Sequence, residues 1–159
     1  MIKIIQADLT NPIHAKALII LLNSYALDAM GGGEALSDFT KANLAKEINK
    51  RSDTTVILAF DGDKPAGVIN CIEGFSTFAC KPLINIHDVY VSADFRGKGI
   101  ATKLLQEAEL LARNKGCCKI TLEVLEGNKP AKQAYLKLGF DGYELDPEMG
   151  KAMFWQKKL

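Results

Sequence analysis

The sequence has no C-x-x-C motif and no long apolar run, and these two absences exclude several classes of protein. Its four cysteines include the adjacent pair Cys117 and Cys118 but no C-x-x-C pair, so we expect neither a zinc site nor a disulfide framework. No stretch has the ~20 consecutive apolar residues of a membrane span, and the first residues lack the apolar core of a signal peptide. We therefore expect a cytoplasmic protein with reduced thiols, no bound metal and no membrane partner.

Neither sign of charge is in excess, which argues against a nucleic-acid partner. The 20 basic and 19 acidic residues leave a net charge of +1, whereas nucleic-acid-binding domains carry a strong positive bias. With 48% hydrophobic and 25% charged residues, the composition is that of an ordinary globular protein. A chain of 159 residues fits one hydrophobic core, so we expect a single domain over residues 1–159.

The hydrophobic pattern predicts a mixed α/β fold. Asn11 is a candidate N-cap ahead of Pro12 at the first helical position, and "GDKP" between two apolar runs predicts a β-hairpin. Helices are predicted at 11–30, 34–51, about 100–115 and 129–139. Strands are predicted at 2–7, 54–61, 66–75, 83–91, 118–125, 140–146 and 151–159. The first part of the chain thus contains two helices and a hairpin of antiparallel strands, and the rest follows a β-α-β-α-β-β order. Together they indicate one sheet with both antiparallel and parallel pairings.

The stretch "VYVSADFRGKGIATKLL" places two glycines and two cations between a strand and a helix. Free N–H groups at a helix N-terminus favour an anion such as a phosphate. A nucleoside-triphosphate loop is excluded, since Gly99 stands where that motif needs Ser or Thr. A dinucleotide fingerprint remains a remote alternative, because its third glycine is Thr102 here. A solvated helix entry that binds no ligand is the other alternative.

Two motifs in this chain together resemble the GNAT superfamily of acyl-CoA-dependent N-acetyltransferases. The loop reads Arg-x-x-Gly-x-Ala from Arg96 to Ala101, which is similar to the superfamily's Arg/Gln-x-x-Gly-x-Gly/Ala signature. The second signature is an Asn ahead of a helix, then a Tyr, then Leu-Gly-Phe, and it reads "NKPAKQAYLKLGF" from Asn128 to Phe140. The order and spacing of the two motifs also match the superfamily.

The resemblance implies a fold and a coenzyme site. It implies a central, mostly antiparallel mixed sheet whose fourth and fifth strands splay apart, flanked by helices. Acetyl-CoA would be the acyl donor, held by backbone groups of the fourth strand and of the glycine loop. The implied coenzyme-binding residues are Val89, Tyr90, Val91, Arg96, Gly97, Lys98, Gly99, Ile100, Ala101, Thr102, Asn128 and Tyr135.

The same resemblance suggests catalytic residues. Tyr135 occupies the position of the general acid that protonates the leaving thiolate. His87 is a candidate base, because an unperturbed imidazole titrates near neutral pH; a water relay is the alternative. Strict alternation along the strand would place His87 on the face of Val89 and Val91, unless a bulge intervenes. Asn128 either bonds the coenzyme or caps its helix.

Further stretches resemble the diamine and thialysine acetyltransferase branch. These are "NSYALDAM", "GFSTF" and "NIHDVYV". Candidate residues for a cationic amine are Tyr25, Asp28, His87, Asp88 and Glu123. The branch tends to carry Glu where this chain has His87, which puts diamine specificity in doubt.

The sequence therefore predicts transfer of acetyl from acetyl-CoA to a primary amine of a small molecule. An acyl-CoA-binding regulatory domain and a protein-acetylating domain are the alternatives. A homodimer is expected, since Trp155, the single tryptophan, lies on a predicted terminal strand.

Overall fold

The computed structural model describes residues 1–159 and contains five strands and four α-helices. The strands are β1 (Ile2–Gln6), β2 (Thr54–Asp61), β3 (Lys64–Ser76), β4 (Lys81–Val91) and β5 (Ile120–Leu122). The helices are α1 (Pro12–Leu27), α2 (Asp38–Asn49), α3 (Ile100–Asn114) and α4 (Lys129–Lys137), with short 3-10 helices at Ala29–Gly31 and Ala93–Phe95. None of the helices combines the length and the apolar character that crossing a bilayer requires.

The strands form one sheet in the order β1-β2-β3-β4-β5. The first three pairings are antiparallel and the last is parallel, which confirms the predicted mixed, mostly antiparallel sheet. The β4–β5 pairing joins only Ile84–Ile86 to Ile120–Leu122. From His87 to Val91 the edge of β4 that faces away from β3 is therefore unpaired, and the predicted splay of the fourth and fifth strands is confirmed.

A β-bulge lies at the point where the β4–β5 pairing stops. Cys71 pairs with Ile86, and the preceding β3 residue, Asn70, pairs with Asp88. His87 is left without a cross-strand partner, as the extra residue of a bulge. A bulge bends and twists its strand, and the pairing of β4 with β5 ends at the residue before this one.

The bulge changes which side chains share a face. Strict alternation would place His87 on the face of Val89 and Val91. Ile86 pairs with Cys71 and Val89 pairs with Ile69, and these two β3 residues share a face because they are two positions apart. Ile86 therefore lies on the face of Val89 instead. The structure thus contains the bulge that the sequence left open, and alternation does not hold across it because the extra residue shifts the pattern by one.

The two faces of the sheet are covered by different helices. On one face α1 packs with Leu18 and Leu21 against a buried cluster that includes Val68 and Tyr90. On the other face Leu104 of α3 approaches the backbone at Gly67 so closely that a Cβ there would lie 3.0 Å from its methyl carbon. The helix α1 begins as predicted, since the Asn11 side chain accepts a bond from the Ile13 N–H and Pro12 follows it.

The two closing strands predicted from the sequence are wrong. Over 140–159 the structure has a single isolated bridge, between Glu144 and Lys151, and the large apolar side chains after Phe140 are exposed. A strand needs a pairing partner for its backbone, and apolar alternation alone does not supply one. The strand predicted at 118–125 is also shorter, since β5 ends at Leu122. Backbone contacts divide the chain into two compact units, residues 1–125 and 126–159.

Candidate active site

The glycine loop forms the entry to α3 in the first unit. Gly97 and Gly99 have positive φ values of +76° and +73°, a conformation that glycine adopts without strain. Gly99 is the N-cap and supplies no side chain to bond the first turn. The N–H groups of the first turn, from Ile100 onward, have no acceptor within the helix. A Cβ at either glycine would meet no atom within 4 Å, so the loop is open to a ligand.

Both cations of this loop contact groups of the chain itself. The Arg96 guanidinium donates to Asp28 Oδ2 at 2.7 Å and to the Val91 carbonyl at 3.1 Å. The Lys98 ammonium lies 5.0 Å from the centre of the Phe95 ring, a cation–π distance. The backbone of the loop therefore remains as the part that is free to bind an anion.

Asp28 links the end of α1 to this loop. Its carboxylate accepts from the Met30 N–H and pairs with Arg96. The hydrogen bond from Arg96 is the main reason that the pKa of Asp28 is lowered. The sequence suggested Asp28 as a contact for the substrate and Arg96 as a contact for the coenzyme, and the structure joins the two to each other.

Two tyrosines and a second carboxylate form an acidic aromatic cluster beside this ion pair. The Tyr25 ring stacks on Tyr90 with centroids 5.6 Å apart. The pKa of Tyr25 is raised, first by partial burial and then by the negative charges of Asp88 and Asp28. The cluster thus consists of Tyr25, Tyr90, Asp88 and the Asp28–Arg96 pair. These residues were predicted as site residues, and the structure brings them together.

The sequence analysis missed Asn70, whose side chain is buried at 5% exposure. Its amide nitrogen donates to Asp88 Oδ2 at 2.8 Å, and its amide oxygen has no partner. The signal for this residue is a lone amide inside the apolar strand "AGVINCIEGF", because a polar side chain in a buried strand needs a partner.

Two other predicted substrate residues stand at the open end of the β4–β5 pair. His87, the bulge residue, is exposed. Glu123 follows the last residue of β5 and is also exposed. Neither makes a contact that fixes a role, and both remain predictions.

Tyr135 and Asn128 belong to the second unit. Asn128 caps α4, since its side chain accepts from the Ala131 N–H at 3.3 Å, which supports the capping alternative. The Tyr135 ring packs edge-on against Phe140 with centroids 5.9 Å apart. The Phe140 N–H also bonds the Tyr135 carbonyl, so "AYLKLGF" forms one local structure at the end of α4.

Comparison with known proteins identifies the family. Residues 21–140 match the acetyltransferase (GNAT) family. This stretch contains both motifs, the strands β2 to β5 and every helix except the first half of α1. The chain belongs to this family, whose members are acetyl-CoA-dependent acyltransferases.

Curated relatives are N-acetyltransferases. An uncharacterized N-acetyltransferase of Methanocaldococcus jannaschii is 32% identical over 101 residues, which are 63% of this chain and 45% of the relative. The thialysine N-epsilon-acetyltransferase of Mus musculus is 41% identical over 56 residues, 35% of this chain and 33% of the relative. The matched stretches thus span less than half of either relative. The thialysine N-epsilon-acetyltransferase of Caenorhabditis elegans is 29% identical over 78% of this chain and 75% of its own length.

Solved structures share the fold. The crystal structure of a probable acetyltransferase superposes with a TM-score of 0.81 over 99% of both chains at 22% identity. The aminoglycoside enzyme AAC(6')-Iy, solved with a CoA-containing bisubstrate analogue, superposes with a TM-score of 0.78 at 18% identity, over 100% of this chain and 99% of that one.

Proposed function

We propose that the protein transfers the acetyl group of acetyl-CoA to a primary amine of a small molecule. The observation that carries this proposal is the open edge of β4 beside the glycine loop. The backbone of His87–Val91 has no β5 partner, and in the chain β4 leads through a short 3-10 helix to the loop that begins α3. An extended ligand arm could pair with the strand edge while its anionic end reaches the loop.

The residues present fit coenzyme A. The N–H groups of Gly97 to Thr102 would hold the pyrophosphate, since Gly97 and Gly99 leave space where a side chain would stand. Backbone groups of Val89, Tyr90 and Val91 would hold the pantetheine arm. When bound, acetyl-CoA supplies the acetyl group as a thioester. The buried side chain of Ile100 anchors the loop in the core.

The acidic aromatic cluster is the proposed amine site. Asp88 has no salt-bridge partner in the chain, and it lies beside the stacked Tyr25 and Tyr90 rings. A carboxylate next to aromatic faces suits an alkylammonium group. The relatives named as thialysine N-epsilon-acetyltransferases support a small amine as the acceptor. Glu123 would contact a longer acceptor from β5.

Proton transfer is assigned to two side chains. His87 would take the proton of the amine at a ring nitrogen, either directly or through water, from the exposed bulge beside Asp88. Tyr135 would supply a proton from its hydroxyl to the leaving group. The motif position supports the assignment of Tyr135, and the bulge supports that of His87.

An amine screen tests the function. Purified protein with acetyl-CoA is offered thialysine, lysine, diamines, other amino acids and aminoglycosides, and free thiol is measured over time. We expect turnover with a short cationic amine and none without an acceptor. Acetyl-CoA binding without turnover of any amine would favour the regulatory alternative, and turnover with a peptide lysine alone would favour the protein-acetylating one.

We also propose a homodimer. The C-terminal residues Met153, Phe154 and Trp155 form a run in which each side chain is more than 70% exposed. Such a run is unfavourable in water and suits an interface. Sedimentation equilibrium should give twice the mass of 17.4 kDa. A monomer at the concentrations used in the assay would reject this proposal.

A further inference from the structure

Asn70 is the one polar side chain among the buried residues of the chain. It lies in the middle of β3 between Ile69 and Cys71, which are both fully buried. Burying an amide is unfavourable unless it is hydrogen-bonded, and an apolar residue would pack at this position without that cost. The presence of Asn70 therefore calls for an explanation in terms of what its amide contacts.

The amide of Asn70 has one hydrogen-bond partner, the Asp88 carboxylate. The nitrogen donates to Asp88 Oδ2 at 2.8 Å, and the oxygen is buried without a partner. A carboxylate accepts such a bond, so the contact fixes one oxygen of Asp88 against β3.

The charges around Asp88 leave it available to a ligand. Arg96 is the cation in this cluster, and it is paired with Asp28. Tyr25 faces Asp88 from α1 as a neutral phenol, because partial burial and the two carboxylates raise its pKa. The neighbouring His87 is exposed on the bulge. Asp88 therefore has a neutral amide as its bonded partner, and its negative charge is not compensated within the chain.

We propose that Asn70 is a positioning residue, whose amide holds the Asp88 carboxylate in place beside Tyr25, where it receives the protonated amine of the acceptor. This inference rests on the proposed function for the identity of the ligand, but the hydrogen bond and its effect on Asp88 are properties of the protein alone. The substrate class that follows is a primary ammonium whose carbon chain contacts the Tyr25 and Tyr90 rings.

The test replaces Asn70 by Leu, which has similar volume and no donor. Asn85 provides a matched control, because its amide donates to Thr121 Oγ1 at 3.1 Å, away from Asp88. The ¹³C signal of the Asp88 carboxyl is recorded at pH 7 without acetyl-CoA. In Asn70→Leu this signal should move, since the hydrogen bond from the amide is lost. In Asn85→Leu it should stay.

Kinetics supply a second readout once an acceptor is known. Asn70→Leu should raise KM for the amine about tenfold and leave KM for acetyl-CoA unchanged, while Asn85→Leu changes neither. A raised amine KM with an unmoved Asp88 carboxyl signal would assign Asn70 to packing and overturn the proposal. An unmoved signal with an unchanged KM would overturn it as well.

A measurement on the unmodified protein covers the case in which Asn70→Leu does not fold. The side-chain amide protons of Asn70 should shift with the same midpoint as the Asp88 carboxyl carbon. Amide protons that stay constant while Asp88 titrates would overturn the proposal. Failure of the amine screen alone would leave this result standing, so the two proposals fail separately.

Discussion

Replacing Gly99 by Asp should abolish acetyl-CoA binding while the fold is retained. The change places a carboxylate at the N-cap of α3, in the open space beside the N–H groups proposed to hold the pyrophosphate. Two like charges about 4 Å apart repel by about 4 kcal/mol at an effective dielectric constant of about 20. Affinity should therefore fall by roughly a thousandfold, since about 1.4 kcal/mol corresponds to a factor of ten.

Gly116→Asp is the matched control. Gly116 has φ +69° against +73° for Gly99, and a Cβ would be equally free of neighbours at both sites. Backbone strain of about 1–2 kcal/mol is therefore common to both variants, and it should lower Tm by a few degrees in each. The two variants differ in where the carboxylate stands. Gly99 lies at the N-terminus of α3, beside the proposed pyrophosphate site, whereas Gly116 lies beyond the C-terminus of the same helix.

Thermal melting with and without acetyl-CoA separates the two variants. At 100 times its dissociation constant the ligand adds about 2.7 kcal/mol, or roughly 5–10 °C for a chain of this size. The unmodified protein and Gly116→Asp should show this shift, and Gly99→Asp should show almost none at the same concentration. A full shift in Gly99→Asp would refute the placement of the pyrophosphate, and titration calorimetry would check the result.

Three further predictions concern single side chains. Tyr135→Phe should lower kcat by about 10²–10⁴-fold with little change in acetyl-CoA affinity. An unchanged single-turnover rate would reject Tyr135 as the general acid. His87→Gln should remove the acidic limb of the kcat/KM profile if His87 is the base, whereas an intact limb with a raised KM would mean that it only binds substrate. Because Arg96 lowers the pKa of Asp28, their ion pair contributes stability above the ordinary Asp pKa of about 4, which is lost as the pH falls through the lowered value. The Tm difference between the unmodified protein and Asp28→Asn should therefore be present at pH 7 and vanish in strong acid, and a difference independent of pH would contradict this.

Local signals in the sequence predicted most of the elements. Asn11 and Pro12 located the start of α1, and the turn "GDKP" located the β2–β3 hairpin. The closing strands at 140–146 and 151–159 failed because apolar alternation does not supply a pairing partner. The sequence left open whether a bulge interrupts β4 at His87, since register is a property of two strands.

Motif positions predicted the site better than they predicted its internal contacts. The residues of the acidic aromatic cluster were identified, but the pairing of Asp28 with Arg96 joins positions 68 residues apart. The bond from Asn70 to Asp88 likewise depends on the β3–β4 register. Contacts of this kind follow from the tertiary fold and have no local signature.

The β-bulge on β4 also makes a prediction about chain length. A chain that lacked His87 would join Ile86 directly to Asp88, and these two residues already pair with consecutive residues of β3. The shortened strand would keep every β3 partner and keep Asp88 on its present face. It would also lose the bend, so that β5 could continue to pair with it and close the open edge. One deleted codon would thus remove the open edge of β4 on which the proposed coenzyme binding depends.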